Sequence, residues 1–310
     1  MLLQIGLLIL GLALVVFGAD WLVDGASAIA RKSGISEFVI GLTIVGFGTS
    51  CPELVVSLTG ALKGIADISI GNVVGSNILN TLLILGLTGV ILPIAITPEN
   101  KQRDIPLTIL VTVLFIVFGL WNRDISRLEG IVFLLLFAGY MYYCFKTDSA
   151  SVETAEEKHL KLGVAILLVL AGLAGLVVGG RLFVDSATAV AQMLGVSDKF
   201  IAITVLAGGT SLPELATCVV AAAKKKGQLA LGNILGSNIF NILLIVGTSA
   251  VVTPLDFSSM NYVDLGVLLL SALLVFTSAW TGKKNLLDRF DGALLLLCEA
   301  AYLTWLIITL

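Results

Sequence analysis

The sequence is short of charge, of histidine and of closely spaced cysteines, and each shortage excludes a class of protein. Only 13% of its 310 residues are charged while 58% are hydrophobic, whereas a soluble domain is about 25% charged and about 45–50% apolar. A single histidine, His159, offers no nucleophile–base pair and no metal-ligand set, so we expect neither an enzyme nor a bound cofactor. The four cysteines lie apart without a CxxC motif, which argues against a disulfide framework or a zinc site. No basic region suggests binding to nucleic acid.

Long apolar runs take the place of the missing charges. Runs of 18 or more apolar residues alternate with short charged stretches, which is typical of helices that cross a lipid bilayer. The first and sixth runs, at about 29 residues, exceed the ~30 Å hydrocarbon core and should tilt or protrude. The pattern predicts an all-α integral membrane protein of ten transmembrane helices, at 2–30, 35–62, 68–92, 104–121, 126–146, 161–190, 196–223, 229–252, 261–281 and 287–309.

Lysine and arginine are unevenly divided between the two faces that alternating loops define. One face holds 13 of the 18 basic residues and the other holds 4, with Arg181 inside the sixth span. The positive-inside rule assigns the richer face to the cytoplasm. Both termini are then extracellular, and the polar segment 147–160 is a cytoplasmic linker. The short linker favours a prokaryotic plasma membrane as the location.

The second half of the chain repeats the first. With an offset of 161 residues, positions 48–86 align with 209–247 without a gap, and 19 of 39 pairs are identical. Each half has five predicted spans, an odd number, so the halves enter the membrane from opposite sides. This is the inverted repeat of secondary transporters, whose substrate site lies near the midplane. We therefore expect one five-helix repeat over 1–146 and a second, inverted one over 161–310.

One duplicated block, GTSCPE and GTSLPE, places a glutamate in the middle of an apolar span in each half. Pro52 cannot donate a backbone hydrogen bond, which should free carbonyls between Gly46 and Thr49. A carboxylate at the bilayer centre costs at least about 2.5–3.5 kcal/mol, so Glu53 and Glu214 need a partner of opposite charge. A transported cation is the simplest partner. Ca²⁺ prefers 6–8 oxygen ligands, while Na⁺ can be bound by carbonyls, hydroxyls and one carboxylate.

The second duplicated block, GNVVGSNILN and GNILGSNIFN, supplies hydroxyl and amide groups. Serine and asparagine stand four residues apart, on one helical face, in both copies. They can coordinate an ion or form hydrogen bonds between helices, and both readings stay open. The glycines favour close helix packing. The serine–asparagine pairs are Ser76 with Asn80 and Ser237 with Asn241, and the glycines are Gly71, Gly75, Gly232 and Gly236.

Together these blocks resemble the two alpha-repeats of the cation/calcium exchanger superfamily, and are most similar to those of prokaryotic sodium/calcium exchangers. The resemblance extends over essentially the whole chain. It implies exchange of Na⁺ for Ca²⁺ by alternating access, with the first and sixth helices sliding over the other eight and no cofactor. It also implies a ligand set: the carbonyls of Gly46 and Ala207, and the side chains of Thr49, Ser50, Glu53, Ser76, Asn80, Thr210, Ser211, Glu214, Ser237 and Asn241.

Two departures from the family pattern bear on the coupling ion. Asn241 is neutral where potassium-dependent exchangers have an aspartate, which lowers the case for K⁺ co-transport. No acidic residue follows Gly71-Asn72 or Gly232-Asn233, as it does in proton-coupled members. The alternatives are a K⁺-dependent Na⁺/Ca²⁺ or Ca²⁺/H⁺ antiporter and, from another class, a cation channel. A monomer is the expected state.

Three acids lie outside the two blocks. Asp24 and Asp185 occupy equivalent positions towards the ends of the first and sixth spans, where solvation, helix-end pairing or contact with loop cations can satisfy them. Glu299 lies in the middle of the tenth span, and the equivalent region of the first half, near Phe137, has no acid. A one-sided acid is a poor candidate for a duplicated site.

Overall fold

The computed structural model describes residues 1–148, 160–195, 207–258, 260–281 and 285–309. These residues are almost entirely helical. The main helices are α1 (Leu2–Ser33), α2 (Glu37–Thr49), α3 (Cys51–Leu62), α4 (Ala66–Ile91), α5 (Asn100–Asn122), α6 (Arg127–Thr147), α7 (Leu162–Met193), α8 (Leu212–Ala223), α9 (Gly227–Val252), α10 (Tyr262–Thr281) and α11 (Arg289–Thr309).

Eight of these helices are long and apolar enough to cross a bilayer, and α2 with α3 makes a ninth if that bent pair is one span. Helix α8 has 12 residues and follows the segment 196–206, which lies outside the described residues. Most of the predicted linker, including His159, also lies outside them. Large apolar side chains cover the outer surface, for example Trp121 at 79% and Leu128 at 71% exposed, as expected for a face in contact with lipid.

Helices α1 and α7 are the longest, and the prediction that these two spans are overlong is confirmed. Each has 32 residues, about 48 Å at 1.5 Å per residue. Each ends before a glycine with positive φ, Gly34 at 68° and Gly195 at 77°, 161 positions apart. Only 22% of the apolar stretch of α1 and 28% of that of α7 is buried. The pair therefore lies at the periphery of the bundle.

Glycines allow α1 and α7 to approach along their backbones. A Cβ added to Gly18 would lie 2.8 Å from the carbonyl oxygen of Gly172, and one added to Gly172 would lie 2.7 Å from that of Gly18. Gly11 and Gly179 are packed in the same reciprocal way. Small residues at such a crossing drive helix association in a lipid environment, where apolar burial gives no advantage.

Helix α9 forms the centre of the molecule, with 94% of its apolar stretch buried. It crosses α2 at Gly236, where an added Cβ would lie 2.7 Å from the carbonyl oxygen of Leu42, and at Gly232, which faces the carbonyl of Phe38. The close-packing prediction is thus confirmed for these two glycines. The positions equivalent to Phe38 and Leu42, 199 and 203, lie outside the described residues, so the prediction for Gly71 and Gly75 stays a prediction.

Four two-residue strands are the exception to the all-α prediction. They are β1 (Ile94–Ala95), β2 (Asp124–Ile125), β3 (Leu255–Asp256) and β4 (Leu286–Leu287). β1 pairs antiparallel with β4, and β2 pairs antiparallel with β3. Each pair therefore joins a strand from the first half of the sequence to one from the second. The four cysteines are free, in agreement with their spacing.

Candidate functional site

The two duplicated glutamates stand at matching breaks between helices. Ser50 separates α2 from α3 with φ −84° and ψ 5°, and Ser211 precedes α8 with φ −87° and ψ 5°. The axes of α2 and α3 bend by 50° at the break. A proline occupies the first turn that follows in both places, and so does the glutamate. The positive end of each helix dipole therefore favours the carboxylate beside it.

Of the carbonyls between Gly46 and Thr49 that the sequence predicted to be free, that of Gly46 is hydrogen-bonded. The backbone N–H of Ser50 donates to the carbonyl of Gly46 at 3.0 Å, and the hydroxyl of Thr49 lies 3.4 Å from the same oxygen. The expectation was wrong for Gly46, because the helix runs unbroken to Thr49 and the break falls at Ser50, whereas the Gly48 carbonyl, four residues before Pro52, has no proline N–H to accept from. A carbonyl oxygen has two lone pairs, so Gly46 keeps some capacity to bind a cation.

Each glutamate is held by the half of the chain to which it does not belong. Ser50 Oγ donates to Glu214 Oε1 at 3.0 Å, and Ser211 Oγ donates to Glu53 Oε1 at 3.4 Å. These two contacts are equivalent under the offset of 161 residues. The hydroxyl of Thr210 lies near the Glu53 carboxyl. The structure thus brings both acids and their hydroxyl neighbours to one buried place, as predicted, with Glu53 and Glu214 each 1% exposed.

The second block packs against the helices that carry the glutamates, with the turn at Asn80 against α8 and the turn at Asn241 against α3. Ser50 Oγ lies 2.9 Å from Ser237 Oγ. Asn80 and Asn241 lie in π-helical turns, Asn80–Leu85 in α4 and Phe240–Val246 in α9. Such turns occur frequently at functional sites because the extra residue shifts side chains out of helical register. The side chains of Ser76, Ser237, Asn80 and Asn241 are all at most 4% exposed.

Four buried oxygens around the site have no hydrogen-bond partner. They are Oε2 of Glu53, Oε2 of Glu214, Oδ1 of Asn80 and Oδ1 of Asn241. Buried polar atoms are nearly always satisfied, so these acceptors are available to a hydrogen-bond donor or a cation. Oxygen is the ligand that Ca²⁺ requires. Among the described residues no His, Cys, Asp or Glu cluster of three or more is present, so the site has an amide and hydroxyl character beside its two acids.

The cations whose salt bridges are seen among the described residues pair with acids other than Glu53 and Glu214. The salt bridges found among the described residues join Arg103 to Asp104 and Asp148, Lys224 to Asp20 and Asp24, and Lys226 to Glu37. None of them reaches the site. The counter-charge that Glu53 and Glu214 were predicted to need can therefore come from a mobile cation.

Sequence reasoning missed four asparagines with side-chain hydrogen bonds near the site, of which Asn233 and Asn72 contact residues of the first duplicated block. Asn233 accepts a hydrogen bond from Thr49 at 3.2 Å and donates to Cys218 Sγ at 3.2 Å. Its equivalent, Asn72, donates to the Glu53 carbonyl at 3.3 Å and to Ser57. Asn77 and Asn238 form a further network. The signal was present in the GN and SN pairs of both copies, which recur with the acids.

Four predicted positions remain to be placed, of which Asp185 lies exposed on α7. Ala207 begins a helical turn, Ala207–Gly209, and only its backbone is described. Asp24 on α1 forms a 2.5 Å salt bridge with Lys224, which lies just beyond the end of α8. Of the possibilities that the sequence left open for Asp24, this is contact with a loop cation. Glu299 on α11 is 3% exposed with Oε2 unpartnered.

Comparisons with known proteins agree on one family. The family model described as "Sodium/calcium exchanger protein" matches residues 3–146 and 164–308. Putative antiporter CaxA of Alkalimonas amylolytica is 39% identical over 306 residues, which cover 95% of each chain. Sodium/calcium exchanger MaX1 of Methanosarcina acetivorans is 34% identical over 341 residues, covering 96% of each. The solved structure of the sodium-calcium exchanger NCX_Mj, soaked with zero Na⁺ and Ca²⁺, matches with a TM-score of 0.87 at 34% identity, covering 98% of this chain and 99% of that one.

Proposed function

Because the chain belongs to the sodium/calcium exchanger protein family, we propose that it is a secondary antiporter that exchanges Na⁺ for Ca²⁺ at Glu53 and Glu214. One observation carries the proposal. Two buried acids are held by reciprocal hydroxyls from opposite halves of the sequence, and each keeps one carboxylate oxygen unpartnered. Desolvated charges of the same sign require compensation, and a transported cation supplies it.

The proposed ligands are the twelve groups implied by the family resemblance. Glu53 and Glu214 provide the charge, and Asn80 and Asn241 provide unpartnered amide oxygens that support this role. The remaining ligands are the carbonyls of Gly46 and Ala207 and the hydroxyls of Thr49, Ser50, Ser76, Thr210, Ser211 and Ser237. Ser50 and Ser211 hold one carboxylate oxygen each, which leaves the other free to face the ion.

Competition for the same charge is the basis of exchange. With both glutamates ionised the empty site carries −2, which one Ca²⁺ or two Na⁺ neutralises. Ca²⁺ and Na⁺ need the same oxygen ligands, so binding of one ion displaces the other. A third Na⁺ would leave +1 and make the cycle electrogenic, with about 2.3 kcal/mol available per charge per 100 mV.

We further propose that the chain forms ten spans in two inverted repeats, 1–146 and 161–310, joined by a cytoplasmic linker at 147–160. Both termini are extracellular, the membrane is a prokaryotic plasma membrane, and the protein acts as a monomer. The crossed strand pairs and the reciprocal serine–glutamate contacts support two-fold equivalence of the halves. Alternating access then follows from movement of one helical body against another around a fixed site. The peripheral pair α1 and α7 is the body proposed to move.

Uptake of ⁴⁵Ca²⁺ into reconstituted vesicles tests the proposed exchange. The Na⁺, K⁺ and pH gradients are varied one at a time, and the outward Na⁺ gradient alone should drive uptake. Uptake that persists without Na⁺ and acidifies the opposite compartment would identify a Ca²⁺/H⁺ antiporter. An absolute requirement for K⁺ would identify the K⁺-dependent class. Single-channel currents would identify a channel and overturn the proposal.

A further inference from the structure

Asn77 in α4 makes two hydrogen bonds that fix the orientation of its amide. Its Nδ2 donates to the backbone carbonyl of Asn238 at 3.2 Å. A carbonyl oxygen can only accept, so the amide nitrogen of Asn77 must face Asn238 and its Oδ1 must face the other way. Asn77 is 2% exposed, and water does not offer an alternative partner.

The fixed oxygen of Asn77 in turn orients Asn241. Asn241 Nδ2 donates to Asn77 Oδ1 at 2.8 Å. Since Asn77 presents an acceptor, Asn241 must present its donor, and its own Oδ1 points away. That oxygen is buried and has no partner. The orientation of a proposed cation ligand is thus set by a residue outside the ligand set.

The equivalent contact is missing in the other half, and Thr81 is the reason. By the offset of 161 residues, Asn80 should donate to Oδ1 of Asn238, but that oxygen has no partner. Asn238 Nδ2 instead donates to Thr81 Oγ1 at 2.8 Å, and Thr81 itself donates to the Asn77 carbonyl at 2.9 Å. Ile242 stands at the position equivalent to Thr81 and has no hydroxyl. The amide of Asn241 is therefore held by the side chain of Asn77, whereas the amide of Asn80 has no equivalent bond to the side chain of Asn238.

We propose that Asn77 is a positioning residue that aims the Asn241 amide oxygen at the cation and makes the site select an amide at position 241. The inference rests on the proposed function, in which Asn241 is a ligand. An aspartate at 241 would place a carboxylate oxygen against the acceptor of Asn77, which is unfavourable because acceptors repel one another. The neutral residue at 241 and the amide at 77 are therefore coupled.

Equilibrium binding of ⁴⁵Ca²⁺ to the detergent-purified protein tests the coupling by a double-mutant cycle. Asn77→Leu should weaken Ca²⁺ binding about tenfold or more, the usual loss when a residue that orients a metal ligand is removed. Asn77→Leu combined with Asn241→Leu should bind no more weakly than Asn241→Leu alone, because Asn77 acts through Asn241.

Asn238→Leu is the matched control, since Asn238 is as buried as Asn77 but donates to Thr81 and orients no amide ligand. It should change Ca²⁺ affinity less than threefold, even where thermal unfolding shows that both variants lose similar stability. If Asn77→Leu does not fold, Asn77→Ala carries the same cycle, because it removes both amide atoms and adds no volume.

The outcomes separate the two proposals. Unchanged affinity in the Asn77 variant, equal losses in the Asn77 and Asn238 variants, or additive losses in the cycle would each overturn the positioning role while wild-type binding stands. A wild-type protein that binds no ⁴⁵Ca²⁺ would overturn the proposed function, and the positioning role with it.

Discussion

Ser50 donates a 3.0 Å hydrogen bond to Glu214, a residue 164 positions away in the opposite half of the chain. The reverse bond, from Ser211 to Glu53, closes a reciprocal pair at 3.4 Å. Neither half of the sequence can therefore build the site alone. Each acid receives its orienting hydroxyl from the partner half, and any movement that separates the halves changes both carboxylates together.

The reciprocal pair predicts unequal effects of two serine substitutions. Ser50→Ala should raise the Ca²⁺ concentration for half-maximal uptake about tenfold, since an unsatisfied buried acceptor costs about 1–3 kcal/mol. Ser211→Ala should have a smaller effect, because its bond is longer and Ser50 also lies against Ser237. Uptake kinetics at varied Ca²⁺ measure both. A larger loss in Ser211→Ala than in Ser50→Ala would contradict the assignment.

The crossing of α2 and α9 predicts that Gly236 tolerates no side chain. The added Cβ of Gly236→Ala would lie 2.7 Å from the Leu42 carbonyl oxygen, and overpacking of this kind costs about 1–3 kcal/mol. We expect a lower unfolding midpoint and weaker Ca²⁺ binding, because Ser237 follows directly. Gly266→Ala in α10 is the control, as nothing lies within 4 Å of its added Cβ. Equal unfolding midpoints in the two variants would contradict the close crossing.

Lys224 ties α1 to the end of α8, and its removal should have a small, salt-dependent effect. Its Nζ lies 2.7 Å from Asp20 and 2.5 Å from Asp24, all partly exposed. Exposed pairs are worth about 0.2–1 kcal/mol each and are screened by salt. Lys224→Gln should lower the unfolding midpoint at low salt and much less at 1 M NaCl, whereas a purely steric effect would persist.

The pH dependence of the Lys224 contribution has a definite sign. Burial lowers the pKa of Lys224, but hydrogen bonds with Asp20 and Asp24 outweigh it and raise the pKa above its ordinary value of 10.5. A raised lysine pKa stabilises the fold fully below the unfolded pKa, and the contribution is lost as pH rises through the folded one. The difference between wild type and Lys224→Gln should be constant from pH 7 to about 9. A difference that disappears within this range would contradict the assignment.

Much of the fold and of the site could be predicted because the same residues occur in both copies of the repeat. Glu53, Pro52 and the small residues before them recur together, so their common role could be inferred without knowing which helices touch. The excess length of α1 and α7 could be predicted from their apolar runs, although the predicted ends at 30 and 190 each fall three residues before the observed ends at Ser33 and Met193.

The remaining features depend on tertiary packing that local patterns do not encode. The π-helical turns at Asn80 and Asn241 add one residue to a turn without any distinctive residue type. The contact from Asn241 to Asn77 depends on the register between α4 and α9. The prediction of freed carbonyls between Gly46 and Thr49 did not hold for Gly46, because a proline removes the donor to the carbonyl four residues before it, which from Pro52 is Gly48.

The most direct test is the initial rate of ⁴⁵Ca²⁺ entry into Na⁺-loaded vesicles that contain wild type, Glu53→Gln, Glu214→Gln or Glu299→Gln. Glu299 is the matched control, as it is also buried with an unpartnered oxygen but belongs to neither duplicated block. Loss of entry in both site variants, with entry retained in Glu299→Gln, is the predicted result. Wild-type rates in either site variant would contradict the claim that the two mirrored acids bind the transported ion.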